Sequence, residues 1–225
     1  MIQVIKSKLK NLSRVLKKNP DCFLAKAKGV LHVGGNIGQE RSLYNDYGLP
    51  VLWIEPIPEV FSDLVKNLSA YPKQSAIEAL VTDADDQKHQ FNVASNGGAS
   101  SSILEMELHG EVWPDVSFER TIDLEGNSLP TVLKNHNIDP ADFDTLIMDT
   151  QGSELLVLEG AIPLLSHFRF IKTEAANFES YKGCCQLSDI DNFMEKHGYK
   201  LISKTDFAQR DKGGSYFDVI YEKSR

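Results

Sequence analysis

Val30-Leu-His-Val-Gly-Gly-Asn-Ile-Gly-Gln-Glu40 is the stretch from which the rest of the chain is read. An apolar run, residues 30–33, ends in a glycine cluster, and a helix-like segment follows over residues 39–47. That order is a strand, a tight turn and a helix start. Backbone N–H groups at a helix start face a ligand, and glycine lets the ligand approach closely. The dinucleotide fingerprint needs glycine at its first, third and sixth places. Counted from Gly34, those places hold Gly34, Asn36 and Gln39, so the nicotinamide version fails. Gly34 and Gly38 with Asn36 between them remain, a pattern that an ordinary strand-to-helix turn also satisfies.

A second stretch adds weight. Val51-Leu-Trp-Ile-Glu55-Pro56 is another apolar strand, and it ends in a carboxylate. An acid about 20 residues beyond such a glycine turn can accept both hydroxyls of a ribose. Pro56 has no N–H to give and stops the strand. Glycine turn, helix, strand and acid together make a nucleoside-binding half-unit.

The alternation continues. Strands are expected over residues 30–34, 51–55, 77–81, 144–149 and 168–174, the third closing at Thr82-Asp83. Helices are expected over 38–47, 58–69, 129–137, 153–161 and 188–197. Strands separated by helices imply a parallel sheet with right-handed crossovers. Two last strands, 199–205 and 215–222, are joined by a short loop with Gly213-Gly214, so they pair antiparallel. The rhythm breaks over residues 88–124. Strands at 88–95 and 116–124 enclose the polar run Asn96-Gly-Gly-Ala-Ser-Ser-Ser102 and a segment with His109, Trp113 and Pro114. A loop this long is expected to act as a lid or binding loop, with a plain surface excursion as the bland alternative.

At 225 residues the chain reads as one domain over 29–225, preceded by an amphipathic helix and linker over 1–28. Ile2, Ile5, Leu9, Leu12 and Leu16 fall at steps of three and four, lysines fill the other face, and Asn19-Pro20 ends the helix. Packing on the main domain is the expected role; a weak membrane-surface contact or a dimer helix is the alternative. The net charge of −8 disfavours a nucleic-acid partner. Cys22, Cys184 and Cys185 form neither a disulfide framework nor a zinc spacing, so a cytoplasmic setting is expected. No run approaches the ~20 apolar residues of a membrane span. The sequence names no oligomeric state.

Three expected strands end in acids: Glu55, Asp149 and Glu174. In an open parallel sheet, ligands sit at the carboxyl ends of the strands, so these acids gather around one crevice. Asp149 is followed by Thr150-Gln-Gly-Ser-Glu154, in which Gly152 permits a tight turn. Glu154 lies in the first helical turn, where it serves either the helix dipole or the chemistry.

Several of these blocks together resemble the FkbM-type family of S-adenosylmethionine-dependent methyltransferases. The resemblance spans about residues 30–205 and rests on residues 33–38, on Glu55-Pro56-Ile-Pro58 with Phe61 and Asn67, and on the paired Ser101 and Ser102. Its most specific part is Asp149-Thr-Gln-Gly-Ser-Glu-Leu-Leu-Val-Leu-Glu-Gly-Ala161. His32 stands where the family usually has an acid, and Gly35 where it has a small alanine.

The resemblance implies a class I, Rossmann-like α/β fold: a seven-stranded, mostly parallel sheet with a C-terminal antiparallel hairpin and helices on both faces. It implies S-adenosylmethionine as cofactor. The residues signal no metal, and a divalent ion shared by Asp149 and Glu174 is the alternative. Gly34, Asn36 and Gly38 would line its methionine and ribose side, Glu55 would hold the ribose hydroxyls, and Asp83 would lie near the adenine. His32, Gly35, Pro56, Thr82, Ser101, Ser102 and Asp149 complete the candidate cofactor set. The implied reaction is O-methylation of a hydroxyl on a sugar, glycan or natural product. Asp149 is the first candidate for the base, Glu174 the second and His109 the third. The acceptor is expected to face the loop 96–115 and residues 175–186, with Asn177, Tyr181 and Lys182.

Three other classes fit the residues less well. A nicotinamide-dependent sugar-modifying enzyme lacks its Tyr-x-x-x-Lys pair, because Tyr44 is followed at the fourth place by Gly48 and Tyr181 by Cys185. A non-catalytic nucleoside-binding module of the same fold is opposed by the intact acids. A nucleic-acid methyltransferase lacks the Asn/Asp-Pro-Pro-Tyr/Phe signature.

Overall fold

The computed structural model describes residues 20–224. The amphipathic helix expected over residues 1–19 lies outside the described residues.

Among the described residues, ten strands form two sheets. The main sheet runs β3 (Gln74–Glu78), β2 (Val51–Glu55), β1 (Val30–Val33), β7 (Thr145–Met148), β8 (Phe170–Ala176), β10 (Ser215–Lys223) and β9 (Tyr199–Gln209). It is parallel from β3 to β8, and β10 and β9 close it antiparallel. From β1 the chain first steps to β2 and β3 and later resumes on the other side with β7. The strand order therefore reverses between β1 and β7, and a crevice opens there.

The alternation of each strand divides its side chains between two apolar layers. Leu31, Val33, Leu146 and Met148 face α3 (Leu129–Asn135), α4 (Glu154–Gly160) and α5 (Leu187–Lys196). Val30, Trp53 and Ile147 face α1 (Arg41–Asp46) and α2 (Pro58–Leu68). The second layer also receives Phe23 and Leu24 from a 3-10 helix, Pro20–Lys26, within the expected linker. Phe23 meets the Phe170 ring at 5.5 Å between centroids. Both faces of the sheet are thus covered, as the long apolar runs of β1, β2 and β7 require.

Two elements differ from the sequence reading. The strand expected over 77–81 is broken at Ala79, whose N–H bonds to the Glu55 carbonyl at 3.3 Å. Its second half, β4 (Leu80–Val81), leaves the main sheet and pairs with β6 (Phe118–Asn127), which in turn pairs with β5 (Gln87–Ala94). The inserted segment is therefore a second, three-stranded sheet. It packs Phe91 and Val93 against Ile57 and Leu80, beside the main crevice.

Candidate active site

The crevice at the carboxyl ends of β1, β2 and β7 is a cleft of about 140 Å³. The glycine turn forms one rim. Gly34 and Gly35 both give their N–H to the Ile54 carbonyl, and the Asp149 N–H bonds to the Val33 carbonyl at 3.0 Å. The tops of β1, β2 and β7 are thereby knitted together. Gly34 has φ +80°, and a Cβ there would overlap the Asp149 carbonyl oxygen, so only glycine closes this junction.

Glu55 is 4% exposed at the end of β2, and its carboxylate turns onto the glycine turn. Oε2 accepts the Asn36 N–H at 2.8 Å and Oε1 accepts the Ile57 N–H at 2.9 Å. Each oxygen keeps capacity for one further donor. Burial raises the Glu55 carboxyl to about 7, although both N–H groups favour its ionised form. Asn36 itself sits at φ +41°, and its side-chain amide reaches across the cleft mouth to the Gly97 carbonyl at 3.1 Å.

Asp149 follows β7 at the other side of the cleft. Gln151 Nε2 donates to Asp149 Oδ1 at 2.6 Å. Burial raises this carboxyl to about 7, with Gln151 opposing the shift and the charge of Glu154 adding to it. Glu174 occupies the adjacent position on β8, because Met148 and Thr173 are register partners. Asp218 on β10 is paired with Glu174. Asp149, Glu174 and Asp218 therefore form one row across three strands. Burial, then the charge of Asp149, holds the Glu174 carboxyl well above its ordinary range. One step down β8, Lys172 bonds Asp21 at 3.1 Å and approaches Asp218 at 3.9 Å.

Of the residues singled out from sequence, His32, Gly34, Asn36, Glu55, Pro56, Ser101 and Asp149 line this cleft. His32 stacks on Trp53 at 4.5 Å and its Nδ1 meets the Tyr44 hydroxyl at 3.0 Å. Burial pushes the imidazole down to about 3, so it is neutral, where the family usually has an acid.

The others stand elsewhere. Gly35 and Gly38 pack under the turn, Gly35 closely on Trp53 and Leu64, and Gly38 so near Leu64 that a side chain would collide. Thr82 is buried and bonds the Ala84 carbonyl, while Asp83 is exposed; the break at Ala79 carries both past the cleft. Ser102 is fully buried and bonds the Gln151 carbonyl at 2.8 Å, fastening the inserted segment to the Asp149 turn. Glu174 lines a second, smaller pocket with Glu154, Tyr181, Cys185 and Tyr216. His109 is 2% exposed rather than on an open loop. Its ring nitrogens meet the Tyr216 hydroxyl at 2.8 Å and the Ser100 hydroxyl at 3.1 Å. Burial lowers it to about 4, so the ring is neutral and enclosed. Glu154 is 4% exposed and accepts the N–H groups of Thr150 and Gly152, so it holds the turn after Asp149.

Sequence reasoning missed part of the lining: Glu40, Ile57, Leu80, Phe91 and Gln151. Phe91 was accessible from the alternation of its strand, in which Phe91 and Val93 share one face. Gln151 stood inside the most specific block but was passed over for its neighbour Asp149.

A wider depression of about 410 Å³ lies by Tyr199 and Tyr221. It sits at the opposite end of the sheet, since Tyr221 pairs with Ile171 at the start of β8, and Tyr221 there already donates to Asp191 at 2.6 Å. The carboxyl-end cleft, by contrast, combines a glycine turn, a doubly held carboxylate and an apolar wall.

With that geometry in place, the comparison with known proteins is direct. The family model described as "Methyltransferase FkbM domain" matches residues 32–201. The chain belongs to the FkbM methyltransferase family. A curated relative, the 2-O-methyltransferase NoeI of Sinorhizobium fredii strain NGR234, is 24% identical over 182 residues, covering 78% of this chain and 73% of that protein. Among solved structures, the Streptococcus pneumoniae protein Sp1610 in complex with S-adenosyl-L-methionine aligns with a TM-score of 0.51 at 12% identity, over 90% of this chain and 71% of that one. An uncharacterized protein of Listeria monocytogenes serotype 4b aligns with a TM-score of 0.52 at 11% identity, over 96% of this chain and 68% of that one. These similarities give the FkbM chain the class I methyltransferase fold. Among its described residues, no helix is long and apolar enough to cross a membrane.

Proposed function

We propose that this FkbM methyltransferase moves a methyl group from S-adenosylmethionine to a hydroxyl of a sugar, glycan or other small molecule. The observation that carries the reading is the Glu55 carboxylate at the end of β2, held by the Asn36 and Ile57 N–H groups and still able to accept two more donors.

The lining fits the donor part by part. Ile57, Leu80 and Phe91 give an apolar wall suited to a purine. Glu55 suits the vicinal hydroxyls of a ribose. The acids at the far end, Glu40 and Asp149, suit a sulfonium cation. When bound, S-adenosylmethionine supplies an electrophilic methyl on a positively charged sulfur.

The chain's own work is to aim an oxygen at that methyl and take its proton. Orientation can contribute roughly 7–11 kcal/mol. A positioned base adds about 10²–10⁴-fold, or roughly 3–5 kcal/mol. Positioning therefore dominates, and the base is the smaller term. Asp149 is the base in this reading: it lines the donor cleft, its oxygen is held by Gln151, and its raised carboxyl titrates near neutrality. A cation in the cleft favours its ionised form, so donor binding readies the base. Once the methyl has left, the positive charge is gone and the acids hold the thioether product less tightly.

The acid row of Asp149, Glu174 and Asp218 also favours a neutral acceptor over a polyanion. The test is an assay with methyl-labelled donor against three pools: neutral glycosides, sugar nucleotides and RNA. Label and a mass gain of one methylene on a neutral glycoside support the reading; label only on RNA overturns it.

A further inference from the structure

We infer that Gln151 is the positioning residue of methyl transfer, its carboxamide standing at the edge shared by the donor cleft and a one-hydroxyl pocket that receives the acceptor. The inference rests on the methyltransferase reading above.

Gln151 alone among the residues of the Asp149 turn lines both cavities. Its backbone is left-handed, φ +52°, a conformation that costs a non-glycine residue about 1–2 kcal/mol. The turn accepts that cost and places the side chain between two fixed groups. Nε2 donates to Asp149 Oδ1 at 2.6 Å. Oε1 accepts from the Tyr181 hydroxyl at 2.8 Å. A carboxylate only accepts, so Asp149 dictates which way the amide faces. The Ser102 hydroxyl holds the Gln151 carbonyl at 2.8 Å and keeps the backbone in place.

The far partner is equally constrained. Tyr181 is 1% exposed, and its hydroxyl also lies 3.2 Å from the Ser100 carbonyl. Its ring packs on His109 at 5.0 Å, and His109 is itself fixed by Tyr216 and Ser100. A continuous buried chain thus runs from Asp149 through Gln151 and Tyr181 to the His109 cluster of the inserted segment. This chain gives His109 a role without asking it to meet a ligand.

Next to Gln151 lies the pocket of Glu154, Glu174, Tyr181, Cys185 and Tyr216, of about 20 Å³. A water molecule needs roughly 10–15 Å³ by this measure, so the pocket has room for about one oxygen. It suits a single hydroxyl of an acceptor whose remainder stays outside. Gln151 borders both that pocket and the donor cleft, and its amide keeps Asp149 aimed at the place where the two meet.

Two variants separate positioning from bulk. Gln151→Met keeps the volume of the side chain and removes both hydrogen bonds. Tyr181→Phe removes only the far partner. The readout is the titration of the Asp149 side-chain carbonyl carbon by ¹³C NMR, alongside calorimetry with S-adenosylhomocysteine and transfer from S-adenosylmethionine to a pool of neutral methyl glycosides. The charges facing Asp149, namely Glu40, Glu55, Glu154, Glu174 and Asp218, are unchanged in both variants. In the wild type the midpoint is about 7. Loss of a hydrogen bond that favours the ionised form moves it up by about one pH unit in Gln151→Met, and by less in Tyr181→Phe. Affinity for S-adenosylhomocysteine stays within about threefold, and turnover falls at least roughly tenfold with its acid limb shifted up alongside the carboxyl. A Gln151→Met midpoint that coincides with the wild type, or turnover equal to the wild type, overturns the inference. If Gln151→Met fails to fold, an unmoved midpoint in Tyr181→Phe overturns it instead. A wild-type chain that does not bind S-adenosylhomocysteine refutes the donor reading separately, because the titration needs no donor.

Discussion

Gly34 and the backbone carbonyl of Asp149 lie in direct apposition, with no room between them for a side-chain carbon. The glycine turn and the turn that carries the candidate base are therefore one interlocked unit. Gly34→Ala adds a clash with rigid backbone to the strain of φ +80°. We expect a loss of about 3–5 kcal/mol, read by urea unfolding. Gly97, at φ +68° with open space around it, is the control: Gly97→Ala costs about 1–2 kcal/mol.

Glu55 makes donor binding depend on pH. Burial raises its carboxyl to about 7 in the free protein, and ribose hydroxyls donate more strongly to the ionised form. Affinity for S-adenosylhomocysteine is thus full above pH 7 and falls as the pH drops through that value, approaching tenfold per unit. The demethylated product lacks the sulfonium charge, so Asp149 enters mainly through its own charge, which raises the Glu55 carboxyl further. Calorimetry at pH 8 and pH 6 checks this, and Glu55→Gln removes the dependence.

Asp149→Asn separates chemistry from binding. The amide keeps the size of the side chain but cannot take a proton. Turnover is expected to fall by about 10²–10⁴-fold while S-adenosylhomocysteine binds within a few-fold of the wild type. Equal loss of both assigns Asp149 to the donor rather than to the acceptor.

The acid row sets the stability of the free protein. Glu174 is held above its ordinary carboxyl range, so the folded chain binds that proton more tightly than the unfolded chain. Below the ordinary carboxylate range both states are protonated and nothing is lost; as the pH rises above about 4.5, stability declines until the folded group ionises as well. His32 acts in the opposite sense. It is neutral in the fold down to about 3, so its contribution is lost as the pH falls below about 6.5. Glu174→Gln is therefore expected to stabilise the free protein at pH 8 by about 1 kcal/mol, or roughly 2–4 °C, with no gain at pH 4.5. Thermal melts at the two pH values test this.

The fold was largely legible because its signals are local. The apolar runs of β1, β2 and β7, each closed by glycine or acid, specify a parallel sheet without any tertiary information. Glu55 was legible for the same reason, since its place is set by its strand and Pro56. The inserted sheet was less so. Nothing in Ile77-Glu-Ala-Leu-Val81 announces that Ala79 will break the strand, because the break depends on the partner strand β6, more than 35 residues later. That break took Thr82 and Asp83 out of the cleft and brought Leu80 and Phe91 in. His109 was misjudged because its burial comes from Tyr181 and Tyr216, which are distant in sequence.

The central claim is that the donor's ribose is gripped by Glu55 across the glycine turn. Calorimetric titration of S-adenosylhomocysteine into the wild type and Glu55→Gln at pH 8 tests it most directly. The account predicts clear binding by the wild type and at least a tenfold weakening in the variant, about 1.4 kcal/mol or more. Equal affinity in the two proteins, or no binding by the wild type, would contradict it.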